Sequence, residues 1–145
     1  MAVRIEGDAV FVSGNCHCGE IVFEAEVDPD LVQICHCRDC QILTGSAFRV
    51  TVPSAPERFR LLRGVPNIYL KTADSGSQRR HAFCGVCGTS VYRMPADNTP
   101  TYSLRVGTLH QALELQAPNR QIWTKRRWSW VTEIGSIAAV EAQRP

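Results

Sequence analysis

Cys84-Gly85-Val86-Cys87-Gly88 has the form of a zinc knuckle: two thiols, three positions apart, on one tight turn. Glycine beside each thiol permits positive φ and lets backbone amides approach the sulfurs. Far upstream, Cys16-His17-Cys18-Gly19 repeats the device at shorter spacing. A closed structural zinc takes four ligands, and Cys16, Cys18, Cys84 and Cys87 supply four as two pairs. An ion shared between them joins the early and late parts of the chain, which suits a modest domain that folds around its metal.

Three more cysteines, Cys35, Cys37 and Cys40, lie between the pairs. They can face one ion from a single loop and leave its fourth position free. Three protein ligands plus an exchangeable one is the pattern of catalytic zinc, able to bind a substrate thiolate or acidify a bound water. Other assignments stay open on spacing alone. Cys16, Cys18 and the central trio can make the closed site, with Cys84 and Cys87 a redox dithiol. His17, His36 or His81 can complete the second site, making both zincs structural, although the spacing of His36 directs it away from its neighbours. Some thiols can be simple buried apolar groups.

Seven cysteines are an odd number, which fits a closed disulfide set poorly. Met1-Ala2-Val3-Arg4-Ile5-Glu6 has no apolar signal region. A cytoplasmic protein is expected, and in a reducing compartment clustered cysteines are metal ligands or redox centres. The 145 residues suit one zinc-binding domain over 1–145 with its core from about 8 to 135. No run approaches the roughly 20 apolar residues of a membrane helix. The formal charge of +2 counts every cysteine as neutral. Zinc on four thiolates adds −2 and on three adds −1, so the two-zinc balance is about −1. Nucleic acid is therefore not the expected partner. The densest basic run, Lys125-Arg126-Arg127, is short, and the arginines are scattered singly.

Strand signals dominate the rest. Residues 20–27, 31–34, 48–52, 59–62, 67–71, 78–83, 90–94 and 101–106 are rich in β-branched and aromatic types, with turns about every ten residues. Arg63-Gly64-Val65-Pro66 reads as a hairpin turn. Residues 38–43 predict one short helical turn, 109–115 are ambiguous, and the tail from Glu141 is expected to fray. The class is mainly β, of small antiparallel sheets with little helix.

The spacing of all seven cysteines resembles the glutathione-dependent formaldehyde-activating enzyme family, which includes centromere protein V. The matching stretches begin with Gly14-Asn-Cys-His-Cys-Gly-Glu20 and Cys35-His-Cys-Arg-Asp-Cys40, the latter followed by Thr44-Gly45-Ser46-Ala47-Phe48. Arg80-His-Phe-Cys-Gly-Val-Cys-Gly-Thr-Ser90 and Arg105-Val-Gly-Thr-Leu109 complete them. The resemblance implies a β-tent fold stapled by a structural zinc on Cys16, Cys18, Cys84 and Cys87. It implies a catalytic zinc on Cys35, Cys37 and Cys40, hence two zincs per chain, the second partly occupied. It implies a carbon–sulfur lyase activity on a thiol–aldehyde adduct, as in S-(hydroxymethyl)glutathione synthase, with glutathione as the candidate thiol. The chain departs from the family pattern at His110, where an acid is common, and at Gln121, where Pro-x-x-His-Ile is common. The segment 134–139 also departs. These positions are expected on a substrate wall.

Arg38 and Arg80 flank the thiol clusters and read as surface charge partners or carboxylate contacts. Ser46 and Phe48 read as strand residues or as lining of the open site. Trp123, Trp128 and Trp130 read as core and edge cover, or as a binding wall. Two other functions compete with the lyase. A non-catalytic, zinc-stabilised binding module needs only the four-thiol site, so the central trio speaks for chemistry. A methionine sulfoxide reductase of similar fold needs a late nucleophilic cysteine, and none follows Cys87.

Overall fold

Alternation of apolar and charged residues builds the first sheet. In β2 (Val22–Val27) Phe23, Ala25 and Val27 point inward, while Glu24 and Glu26 point out. β1 (Val10–Asn15) and β5 (Phe59–Arg63) pair antiparallel on either side of β2. On the outer face Arg58 pairs with Glu26 at 2.8 Å and Arg60 with Glu24 at 3.3 Å. The computed structural model describes residues 9–73 and 76–143. The N-terminal stretch 1–6 and the last two residues of the tail lie outside the described residues, while Glu141, Ala142 and Gln143 are exposed and outside any strand or helix.

The second sheet has seven strands: β3 (Gln33–Cys35), β4 (Arg49–Ser54), β6 (Asn67–Thr72), β7 (Gln78–Phe83), β8 (Ser90–Arg93), β9 (Tyr102–Arg105) and β10 (Arg120–Ile122). Their spatial order is β10-β3-β4-β9-β8-β7-β6. Pairing is antiparallel except between β10 and β3, which run parallel. One α-helix occurs among the described residues, α1 (Arg38–Thr44), closed by Gly45 in the left-handed region at φ 63°. The remaining helical turns are 3-10; Leu109 forms an isolated bridge to Gly14, and residues 110–114 form turns. The protein is thus mainly β, as the composition predicts.

The core lies between the sheets. Val12, Phe23, Ala25 and Val27 meet Val52, Ala82, Val91 and Leu104 there. Phe59 bridges the layers, stacked on Tyr102 at 3.9 Å and edge-on to Tyr92 at 4.8 Å between centroids.

Arg63-Gly64-Val65-Pro66 is a turn but not a hairpin. β5 pairs with β2 and β6 with β7, so this turn passes the chain from one sheet to the other. Gly64 sits at φ +86°, and a Cβ there would stand 2.4 Å from the Glu20 carbonyl oxygen. Only glycine fits so tight a pass. None of the described helices is long and apolar enough to cross a membrane.

Candidate metal centres and the adjoining cavity

Each outer cysteine pair sits on a β-hairpin turn, one from each sheet. Cys16 and Cys18 lie between β1 and β2, where Cys16 N–H donates to the Ile21 carbonyl at 3.1 Å and Gly19 takes φ +81°. Cys84 and Cys87 lie between β7 and β8, where Gly88, at φ +79°, donates to the Cys84 carbonyl at 2.8 Å. His17 N–H crosses to Thr89 Oγ1 at 3.0 Å and holds the two turns together.

The four sulfurs lie within 4.8 Å of one another. Cys16 Sγ is 3.6 Å from Cys18 Sγ, which is 3.7 Å from Cys84 Sγ. A zinc–sulfur bond of ~2.3 Å gives a tetrahedron edge of ~3.8 Å, so these spacings fit zinc. The amides point the same way. Ile21 N–H donates to Cys16 Sγ at 3.2 Å, and Val86 and Cys87 N–H donate to Cys84 Sγ at 3.4 and 3.5 Å. Sulfur that accepts several N–H groups is favoured as thiolate. Hydrogen bonding by Thr89 holds the Cys87 thiol down at about 5. All seven cysteines are free thiols.

Cys35, Cys37 and Cys40 also converge within 4.8 Å. Cys35 ends β3, and Cys37 caps α1, its sulfur accepting Cys40 N–H at 3.3 Å. Contacts from Cys35 and Cys40 bring the Cys37 thiol down to about 2, and contacts from Cys35 and Cys37 push Cys40 up. This trio could hold a metal, and among the described residues no fourth Cys, His, Asp or Glu joins it. His36 turns away. It is fully buried, packs edge-on to Phe48 at 5.7 Å, and its Nε2 donates to Gln121 Oε1 at 2.7 Å. Gln41 of α1 donates to the His36 carbonyl at 3.1 Å and the Arg126 carbonyl at 2.9 Å, fixing the helix behind the trio.

The charge beside the trio comes from residues that the sequence did not single out. Arg49 stands directly across from Cys35 in the β3–β4 register and is only 5% exposed. Burial lowers its pKa, and the three thiols opposite push it back up. Arg105, opposite Thr51 on β9, donates through Nη2 to His81 Nδ1 at 3.0 Å. Burial first, then Arg105 and Arg49, hold His81 down at about 3. Arg49 and His81 line a cavity of about 250 Å3 together with Leu43, Tyr69, Phe83, Gly88 and Ser90. Lys71 on edge strand β6 forms an ion pair with Asp39 on α1.

The other flagged residues lie elsewhere. Arg38 and Arg80 are exposed, and Arg80 donates to the Pro95 carbonyl at 3.3 Å. Ser46 is exposed. His110 bonds Ser13 Oγ at 2.9 Å and also Asn15, on the first sheet. Trp123, Trp128 and Trp130 are 50, 38 and 44% exposed and so are not core.

A Rhodobacter sphaeroides protein, a structural genomics target, has the same fold at a TM-score of 0.59. It is 22% identical, over 75% of this chain and 98% of its own. The sequence model of the glutathione-dependent formaldehyde-activating enzymes matches residues 11–126, so the chain belongs to that family.

Proposed function

We propose that this protein is a zinc-dependent lyase of the thiol–aldehyde type. Cys16, Cys18, Cys84 and Cys87 hold a structural zinc between the two sheets. Cys35, Cys37 and Cys40 hold a second zinc and carry the chemistry. The observation that supports this most directly is the composition of the second group: three converging sulfurs, no fourth protein ligand among the described residues, and across from Cys35 an arginine that lines a cavity. Family membership supports the reaction class, glutathione-dependent activation of formaldehyde or a related aldehyde.

The reaction joins a thiol to an aldehyde. A carbon–sulfur bond forms at the carbonyl carbon, the carbonyl π pair moves to oxygen, the thiol gives up its proton and the oxygen gains one. The lyase direction reverses each change. Bound at the trio, zinc supplies an open position that can take and ionise a substrate thiol. The protein's own groups do the rest. Arg49 offsets the thiolate charge across the β3–β4 pair. His81 is held neutral with Nδ1 occupied, so it is not the base.

The test is zinc content together with adduct exchange. Zinc per chain is measured by elemental analysis on anaerobically purified protein, wild type and Cys35→Ser/Cys37→Ser/Cys40→Ser. Exchange of 13C-formaldehyde with glutathione is followed by NMR. Two zincs falling to one, with loss of accelerated exchange, is the expected result. One zinc in both proteins, or equal acceleration by both, refutes the reading.

A further inference from the structure

Five arginines share the face of the seven-stranded sheet that turns away from the core. Register and alternation put Arg49 and Arg105 there with His81, and Arg79, Arg93 and Arg120 on the same side. None of the five pairs with a carboxylate among the described residues. Arg49 and Arg105 are buried. Arg93 and Arg120 instead line a separate cavity of about 350 Å3 that has no acidic side chain on its walls.

Arg93 is only half engaged. Its Nη1 donates to the Met94 carbonyl at 3.1 Å and to Thr99 Oγ1 at 2.9 Å. Its Nε and Nη2 have no partner among the described residues, and unlike the nitrogens of Arg49 they are not sealed from solvent. Burial, then Arg79, lowers its pKa only to about 10, so it stays charged at neutral pH. Hydroxyls gather beside it. Thr99 Oγ1 accepts from Arg93 and still has its own proton to give. Ser103 stands across from Arg93 in the β8–β9 register, Thr101 lies two residues earlier, and both line the cavity.

Further along the same cavity, Gln33 and Thr51 are register partners on β3 and β4, and neither side chain has a hydrogen bond among the described residues. Pro53, Pro100 and Ile122 add apolar surface. Arg120 stands on edge strand β10, exposed and unpaired.

These groups define a ligand. Two free guanidinium donors with three hydroxyls beside them outnumber what the two oxygens of a carboxylate can use. A phosphate monoester brings three strong acceptor oxygens and close to two negative charges. Unpaired polar groups mixed with apolar surface match a polyhydroxylated carbon skeleton, whose hydroxyls bond and whose C–H faces pack. We propose that this cavity binds a sugar phosphate, with the phosphate on Arg93, Thr99, Thr101 and Ser103 and the sugar over Gln33, Thr51 and Pro53. No cysteine lines it, so the site stands apart from the trio and does not depend on the thiol–aldehyde reading.

Isothermal titration of the zinc-loaded, full-length protein tests this with ribose 5-phosphate, ribose, inorganic phosphate and succinate. Ribose 5-phosphate binds wild type about 10- to 100-fold more tightly than ribose, as expected for charge-assisted bonds. It also binds more tightly than inorganic phosphate, which lacks the sugar, and than succinate, which matches its charge with carboxylates. Arg93→Gln reduces the preference over ribose to within about 3-fold with zinc content unchanged, and Arg93→Lys keeps part of it because the charge remains without the fork. Saturating glutathione leaves the titration unchanged.

Equal binding of ribose 5-phosphate and ribose to wild type overturns the proposal and needs no variant. Succinate binding as tightly as the ester refutes the phosphate assignment, and inorganic phosphate doing so refutes the sugar. A preference that survives Arg93→Gln puts the phosphate elsewhere on the sheet and refutes the site. Competition with glutathione refutes a site separate from the trio. Should Arg93→Gln fail to fold, Thr99→Val/Thr101→Val decides, since it removes two hydroxyls and no charge: it must weaken the ester by at least about 5-fold and leave ribose unchanged.

Discussion

Replacing Cys84 and Cys87 together by serine removes the late half of the four-sulfur site, and its cost can be worked from the chain. The Cys18–Cys84 contact joins positions 66 apart in sequence. A cross-link of that span removes about 4 kcal/mol of chain entropy from the unfolded state. For a chain of this size that is a fall of about 8–16 °C in midpoint, at roughly 2–4 °C per kcal/mol. The trio is different, because Cys35 and Cys40 lie within one short loop and helix turn. Loop-closure scaling makes its contribution smaller by about 2 kcal/mol. The assay is thermal unfolding by circular dichroism on reduced, zinc-loaded protein, with zinc counted before each melt. Cys84→Ser/Cys87→Ser should lose one zinc and melt far below wild type, and Cys35→Ser/Cys37→Ser/Cys40→Ser should lose one zinc and melt closer to it. Adding Cys16→Ser/Cys18→Ser to the late pair should cost little more, because the same closure is lost only once. Additive losses from the two pairs, or a trio variant as unstable as the pair variant, would refute the staple.

The remaining predictions concern single side chains. Gly64→Ala should lower stability by about 2 kcal/mol or more in denaturant titration, from positive φ and the Glu20 carbonyl clash. Gly107→Ala, with nothing within 4 Å of the new Cβ, should change it by less than about 0.5 kcal/mol; equal losses at the two sites would refute the close pass. Gln121→Ala should cost about 1–3 kcal/mol by leaving the buried His36 Nε2 without its acceptor, with a loss within error counting against the bond. His81 should stay neutral from pH 8 to 5, seen as a flat imidazole carbon shift in histidine NMR, since its pKa is lowered from 6.5 to about 3. The sign follows: the unfolded chain takes up that proton first, so this group removes stability as pH falls from 6.5 towards about 3. A midpoint near 6.5 would overturn it.

The cysteine groups were legible in the sequence because each pair lies on one local turn, where spacing and glycine determine the approach of the sulfurs. The strands were legible where β-branched residues run together. β1 (Val10–Asn15) was missed because Ser13, Gly14 and Asn15 dilute its signal, and β10 because three residues become a strand only by pairing with β3. The turn at Arg63-Gly64-Val65-Pro66 was read correctly as a turn and wrongly as a hairpin, since turn chemistry does not say which sheet the next strand joins. Arg49 was invisible for the same reason. Nothing local distinguishes it from the other arginines; only the β3–β4 register sets it across from Cys35. The signal available was alternation, since Arg49 and Thr51 share a face of β4.

That register bears on how the trio takes its metal. Arg49 and Arg105 are buried near each other, and each lowers the pKa of His81. No carboxylate pairs with either among the described residues. Without metal, contacts among the three thiols bring Cys37 down and push Cys35 and Cys40 up, so the group carries about one negative charge. Zinc on three thiolates also carries about −1. Loading therefore leaves the charge facing Arg49 nearly unchanged and releases about two protons. Competition of the trio's zinc against a chromogenic chelator across pH, corrected for the chelator's own protonation, measures that release. The affinity should rise by up to about 100-fold per pH unit. An affinity independent of pH would mean that all three thiols are ionised before the metal binds.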